Sequence, residues 1–84
     1  MELKDTVEMM LSDDYKERLK AEFIQLKIRY NKLLEMLDDW DNGALNFTPT
    51  CPRSWYEVQM DGMEIYLDVL SDRMEKEGVE IPKF

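Results

Sequence analysis

The sequence predicts an all-α fold: a short N-terminal helix plus a long antiparallel helical hairpin, several copies of which assemble as an oligomeric helical bundle. Three observations lead there. Two long stretches repeat apolar residues alternately four and three positions apart, the spacing of a helix face packed on other helices at a shallow angle. No stretch competes with them as a strand. Both stretches also carry more apolar surface than one pair of helices can cover, in a chain of only 84 residues.

Size makes the third point weigh more. A domain this small buries only about 60–65% of the surface its unfolded chain exposes, so such scaffolds usually lean on disulfides, a metal or a partner subunit. Cys51 is the only cysteine and histidine is absent, which rules out an intrachain disulfide and the usual zinc-ligand spacing. Self-association remains.

The chain reads as a single helical domain, 1–84, divided into a short helix (1–11), a long helix (13–39), a loop (40–50), a second long helix (51–77) and a tail (78–84). The short helix places Leu3, Val7, Met10 and Leu11 on one side. Helix nucleation is too costly for so short a piece to stand alone in water, so it must dock. Ser12, followed by Asp13 and Asp14, is the expected N-cap of the next helix, with acidic residues in its first turn.

In the first long helix Leu19, Phe23, Leu26, Tyr30, Leu33, Leu37 and Trp40 form the seam. Ile24, Ile28 and Leu34 lie outside it, and this second stripe calls for a second partner. Gly43 ends the helix by supplying a left-handed residue. Leu45 and Phe47 are expected to plug the open end of the hairpin. Thr50 is the expected cap of the second long helix, with Cys51 and Pro52 in its first turn, where proline loses no hydrogen bond. Met60, Met63, Leu67, Leu70 and Met74 make one apolar stripe of that helix, and Trp55, Val58, Ile65 and Val69 another beside it. Gly62, at about 1 kcal/mol less favourable than alanine inside a helix, marks a kink or a close helix crossing. The helix stops at Gly78, and Val79, Ile81 and Phe84 are expected to fold back on the bundle.

Charge and composition exclude several functions. The net charge of −8, from 19 acidic and 11 basic side chains, disfavours a general DNA or RNA binder, which must neutralise phosphates. No apolar run approaches the roughly 18 residues that span a bilayer. Glu2, Asp5 and Glu8 stand where a signal peptide would be basic. A cytoplasmic protein is the simplest reading. Nucleophilic catalysis needs a base beside the nucleophile; with no histidine, and with Cys51 in a helix-start position next to Pro52, the thiol reads as structural. The carboxylate pairs read as solvated helix ends, and no glycine-rich phosphate loop or Glu-x-x-His metal pattern occurs. No enzyme and no cofactor are expected.

Cations beside tyrosines are the remaining chemistry, because a tyrosine can stack on a base while lysine or arginine meets a phosphate. Lys16, Lys20 and Lys27 follow one helical face, and Arg29 and Lys32 lie beside Tyr30. The bland alternative is a mixed-charge solvated face. Arg73 falls on the seam spacing after Tyr66 and Leu70, which predicts an inward or interface-facing guanidinium needing a carboxylate or an anion.

The run Asp14-Tyr15-Lys16-Glu17-Arg18-Leu19-Lys20, then Arg29-Tyr30-Asn31-Lys32-Leu33, the turn Phe47-Thr48-Pro49-Thr50-Cys51-Pro52 and the later Gln59, Met63, Tyr66-Leu67, Leu70, Arg73 and Gly78 carry a resemblance. Over residues 14–81 the chain resembles small phage and prophage proteins related to a crAss-like phage open reading frame. That group is similar to the second type of phage anti-CBASS sponge. The resemblance implies a non-enzymatic hexamer that sequesters cyclic di- or trinucleotide immune signals in the host cytoplasm. It implies ligand-binding roles for Tyr15 and Lys32 at a cyclic dinucleotide and for Arg73 at a cyclic trinucleotide. Tyr30 is the alternative to Tyr15, and Lys16 or Lys27 the alternative to Lys32. The competing reading is an interaction protein that inhibits a host or phage protein through an apolar or acidic surface.

Overall fold

The computed structural model describes residues 1–83; the expected fold-back of Phe84 lies outside the described residues. A 3₁₀ turn, Leu3–Thr6, runs into one α-helical turn, α1 (Val7–Met10), followed by α2 (Tyr15–Asp41) and α3 (Arg53–Lys76). The described residues are all-helical, with no strand. Tyr15 meets Glu77, Glu22 meets Tyr66, Tyr30 meets Glu64 and Asp41 meets Arg53. Positions that rise along α2 therefore meet positions that fall along α3. The seam between them centres on Leu19, Phe23, Leu67, Leu70 and Met74, with Leu26, Tyr30, Val79 and Ile81 packed around it.

Local chemistry accounts for the helix ends. Asp14, rather than Ser12, caps α2: its carboxylate accepts from the Lys16 amide at 2.9 Å, and the Ser12 hydroxyl instead accepts from the Asp14 amide at 3.1 Å. Acceptance two residues on is the usual capping geometry. At the other end Gly43 takes φ +70°, which lets the Ala44 amide reach the Asp39 carbonyl at 2.8 Å and the Gly43 amide reach Trp40 at 3.2 Å. Gly78, at φ +71°, repeats the device on α3, with the Val79 amide on the Met74 carbonyl at 2.8 Å. A left-handed residue past the last turn turns the chain back so that two stranded carbonyls find donors. It also drops Val79 onto the core. The start of α3 departs from expectation. Thr50 does not cap it; Pro52 occupies the cap place with ψ 146° and no side-chain cap bond, and the helix begins at Arg53. A residue before proline is disfavoured from helical geometry, which keeps Cys51 out of the first turn.

The N-terminal segment and the loop complete the packing. Ile24 and Ile28, which called for a second partner, are buried outside the α2–α3 core cluster, and the N-terminal segment of the same chain packs on α2; Leu34 of that stripe stays 40% exposed. The docked segment includes a buried polar contact. Thr6 is fully buried, donates to the Leu3 carbonyl at 2.7 Å and accepts from the Gln25 amide at 2.9 Å. Leu3, Val7 and Met10 remain partly exposed and Leu11 mostly so. Phe47 does not plug the loop end; it is 53% exposed, and Leu45 is half-buried. No helix of the described residues is long and apolar enough to cross a membrane.

Candidate functional site

Phe23, Lys27 and Tyr30, four and three residues apart on α2, face Glu64, Leu67, Asp68 and Ser71 on α3 across a hollow of about 290 Å³. Phe23 and Leu67 are buried in the core and give the hollow an apolar floor. Around them stand the polar groups. The Lys27 ammonium lies 5.3 Å from the centre of the Tyr30 ring, within the range where a cation is attracted to the ring face. The Tyr30 hydroxyl donates to Glu64 Oε1 at 2.6 Å. That bond, with burial and the Glu64 charge behind it, holds the phenol above its ordinary pKa. With one cation against two carboxylates, the hollow of a single chain suits a stacked base better than a phosphate.

The predicted site residues are dispersed. Tyr30 is half-buried at the hollow, while Tyr15, Lys16, Lys32 and Arg73 are exposed. Lys32 does not accompany Tyr30: two residues on, it is turned about 200° around the helix. Tyr15 donates to the Glu77 carboxylate, and Arg73 stands one turn before Glu77, so Tyr15 and Arg73 share one end of the helix pair. Of the two placements the seam spacing allowed, inward or interface-facing, the guanidinium is not inward: α3 turns Leu70 and Met74 to the core, and exposed Arg73 flanks that arc, about 60° around the helix from Leu70. Tyr15 and Lys32 are seventeen positions apart on one helix, about 25 Å at 1.5 Å per residue. They can meet one small ligand only across two copies.

A second constellation lies at the loop end. The Arg53 guanidinium sits 5.1 Å above the Trp40 ring and grips Asp41 with two bonds, of 2.7 and 3.1 Å. Its Nε is 3.5 Å from Glu57. The Arg53 bond holds the Asp41 carboxyl below its ordinary pKa. Tyr56 meets Trp40 edge-on at 6.1 Å and 74°, and burial, with a bond to Cys51, raises the Tyr56 phenol. Trp40 also borders a hollow of about 260 Å³, together with Leu45, Phe47 and Pro49. Nothing in the sequence around Arg53 signals this group, since its partners lie across the loop. Among the described residues no group of three or more His, Cys, Asp or Glu is placed to hold a metal ion.

No curated protein and no solved structure matches the chain. A family model described as Sequestin matches residues 13–76, which takes in α2, the loop with its Thr-Pro-Thr-Cys-Pro turn, and α3. Those are the segments that build both hollows and carry the resemblance to helical phage sponges, and on that match the chain belongs to the Sequestin family.

Proposed function

We propose that this protein is a non-enzymatic phage anti-defence sponge. An antiparallel helical hairpin is its unit, and an oligomer of such units sequesters a cyclic oligonucleotide or related nucleotide signal in the host cytoplasm. Membership of the Sequestin family across most of the chain carries this reading, the family's name being one of sequestration. The Lys27–Tyr30 pair over an apolar floor supports it, because base stacking on an aromatic ring is worth about 1–3 kcal/mol. Phosphates need cations in a partly dry site, where a charge-assisted hydrogen bond contributes about 1.5–3 kcal/mol. Exposed Lys16, Lys32 and Arg73 would supply them where copies meet, and a two-fold interface presents each group twice, as the two halves of a cyclic dinucleotide require.

Calorimetry with cyclic dinucleotides, cyclic trinucleotides and cyclic ADP-ribose products tests the reading. Wild-type protein is expected to bind one of the three classes. If a dinucleotide binds, Tyr15→Ala or Lys32→Ala should abolish binding without dissociating the oligomer, and Arg73→Ala should spare it. Loss in Tyr30→Ala instead moves the stacking role to the hollow. Absence of binding for all three classes removes the sponge reading. A second reading, inhibition of a host or phage protein, then gains from the exposed Leu3, Val7, Met10 and Leu11 of the N-terminal segment.

A further inference from the structure

Trp55, Val58, Ile65 and Val69 are 65%, 70%, 67% and 51% exposed, although they form a stripe as regular as the one α3 turns to the core. Gly62 fills the missing place in their spacing. At about 100° per residue the five positions fall within an arc of about 80°, turned roughly 140° from Met60, Leu67, Leu70 and Met74. A glycine here weakens the helix, and nothing inside the chain calls for one: a Cβ on Gly62 would meet no atom within 4 Å, and its φ is not positive. No contact within the chain accounts for a glycine at this place.

We infer that this face of α3 packs on α3 of a second copy, antiparallel, with the two-fold axis at Gly62. Measured from Gly62 the apolar positions stand at −7, −4, +3 and +7, so the stripe reads nearly the same in both directions. An antiparallel copy lays Trp55 on Val69 and Val58 on Ile65, bulky on slender, and the absent side chain at Gly62 lets the backbones approach there, as small residues do at helix crossings. The ends agree with this sense of packing. Beyond Val69 the same line continues into Arg73 and Lys76, while the start of α3 lies beside the acidic end of α2, where Arg53 is 2.7 Å from Asp41 and Asp38 and Asp39 precede it. Antiparallel packing carries Arg73 and Lys76, which stand among Asp72, Glu75 and Glu77, toward the end of the other copy that holds Asp38, Asp39 and Asp41, and it opposes the helix dipoles, which parallel packing would align. Asp61 of each copy approaches the axis, a repulsion at the surface that salt screens. The same acidic flank, Asp61, Asp68 and Asp72, unfits the stripe for an anionic membrane.

The inference rests on the reading of the chain as an oligomer but not on any ligand, and the test keeps them apart. Light scattering on the full chain should give an even multiple of 10.1 kDa. Gly62→Leu adds a side chain to open space in one copy, so it should keep the helical circular dichroism and lower the mass at least two-fold; Ile65→Asp should do the same. A monomeric wild type overturns both the oligomer and this interface. An oligomeric wild type whose mass survives both substitutions overturns the interface alone. In a Cys51→Ser background, Trp55→Cys mixed with Val69→Cys should crosslink to each other under mild oxidation. Crosslinking of Trp55→Cys to itself would show a parallel pair and overturn the antiparallel assignment.

Discussion

Thr6→Val tests whether the N-terminal segment is fastened as the structure places it. The substitution keeps the shape of a fully buried side chain and removes one hydroxyl that makes two bonds, to the Leu3 carbonyl at 2.7 Å and from the Gln25 amide at 2.9 Å. Each is worth about 0.5–1.5 kcal/mol net, an upper range of about 3 kcal/mol for the pair. Both partners retain access to water or to another acceptor, Gln25 also reaching the Met10 sulfur at 3.3 Å. The expected cost is therefore about 1–2 kcal/mol, the lower part of that range. The segment is also what covers Ile24 and Ile28, so the loss is felt in the cooperative unit and not only at the chain end. Urea unfolding of Thr6→Val, Gln25→Ala and the double variant closes a cycle. The Thr6–Gln25 coupling should be about 0.5–1.5 kcal/mol, and amide exchange in residues 3–11 should accelerate in both single variants. Additivity within about 0.3 kcal/mol, together with unchanged exchange, would refute the docking through Thr6.

Leu70 is fully buried at the centre of the α2–α3 cluster, so Leu70→Ala should cost about 2–5 kcal/mol in urea unfolding; a cost under about 1 kcal/mol would mean that the core lies elsewhere. High pH probes Tyr30. Its phenol titrates above its ordinary value of 10.0 in the folded chain, so the folded state holds the proton longer than the unfolded one. The stability this contributes is complete below about pH 10 and is lost as pH rises through the folded value. Tyr30→Phe should remove one raised phenolate step from an ultraviolet titration, and Glu64→Gln should lower that step. A Tyr30 step left unchanged by Glu64→Gln would contradict the Glu64 contact.

The candidate site was legible only as a list of residue types. Tyrosines and cations at helical spacing mark stacking and phosphate chemistry, yet the sequence has no means of showing that Tyr30 sits with Lys27 over Phe23 and Leu67, because half of the hollow comes from α3. The Arg53–Trp40–Asp41 group was illegible for the same reason. Tyr15 and Lys32 were paired by the resemblance alone, and the length of α2 sets them about 25 Å apart within one chain.

What the sequence determined by itself was the all-helical class, the stops at Gly43 and Gly78, and the set of α3 residues able to form a core. Those depend on local matters: periodicity places residues on a common face, and a left-handed turn needs glycine. Which face finds which partner was decided in three dimensions. The α3 stripes share one period, but only Met60, Leu67, Leu70 and Met74 were buried, while Trp55, Val58, Ile65 and Val69 were left outside. Ile24 and Ile28 called for a second partner, and only the folded chain shows them buried beside its own first residues. Period alone records which side chains lie together; burial depends on contacts between distant segments, and those exist only once the chain has folded.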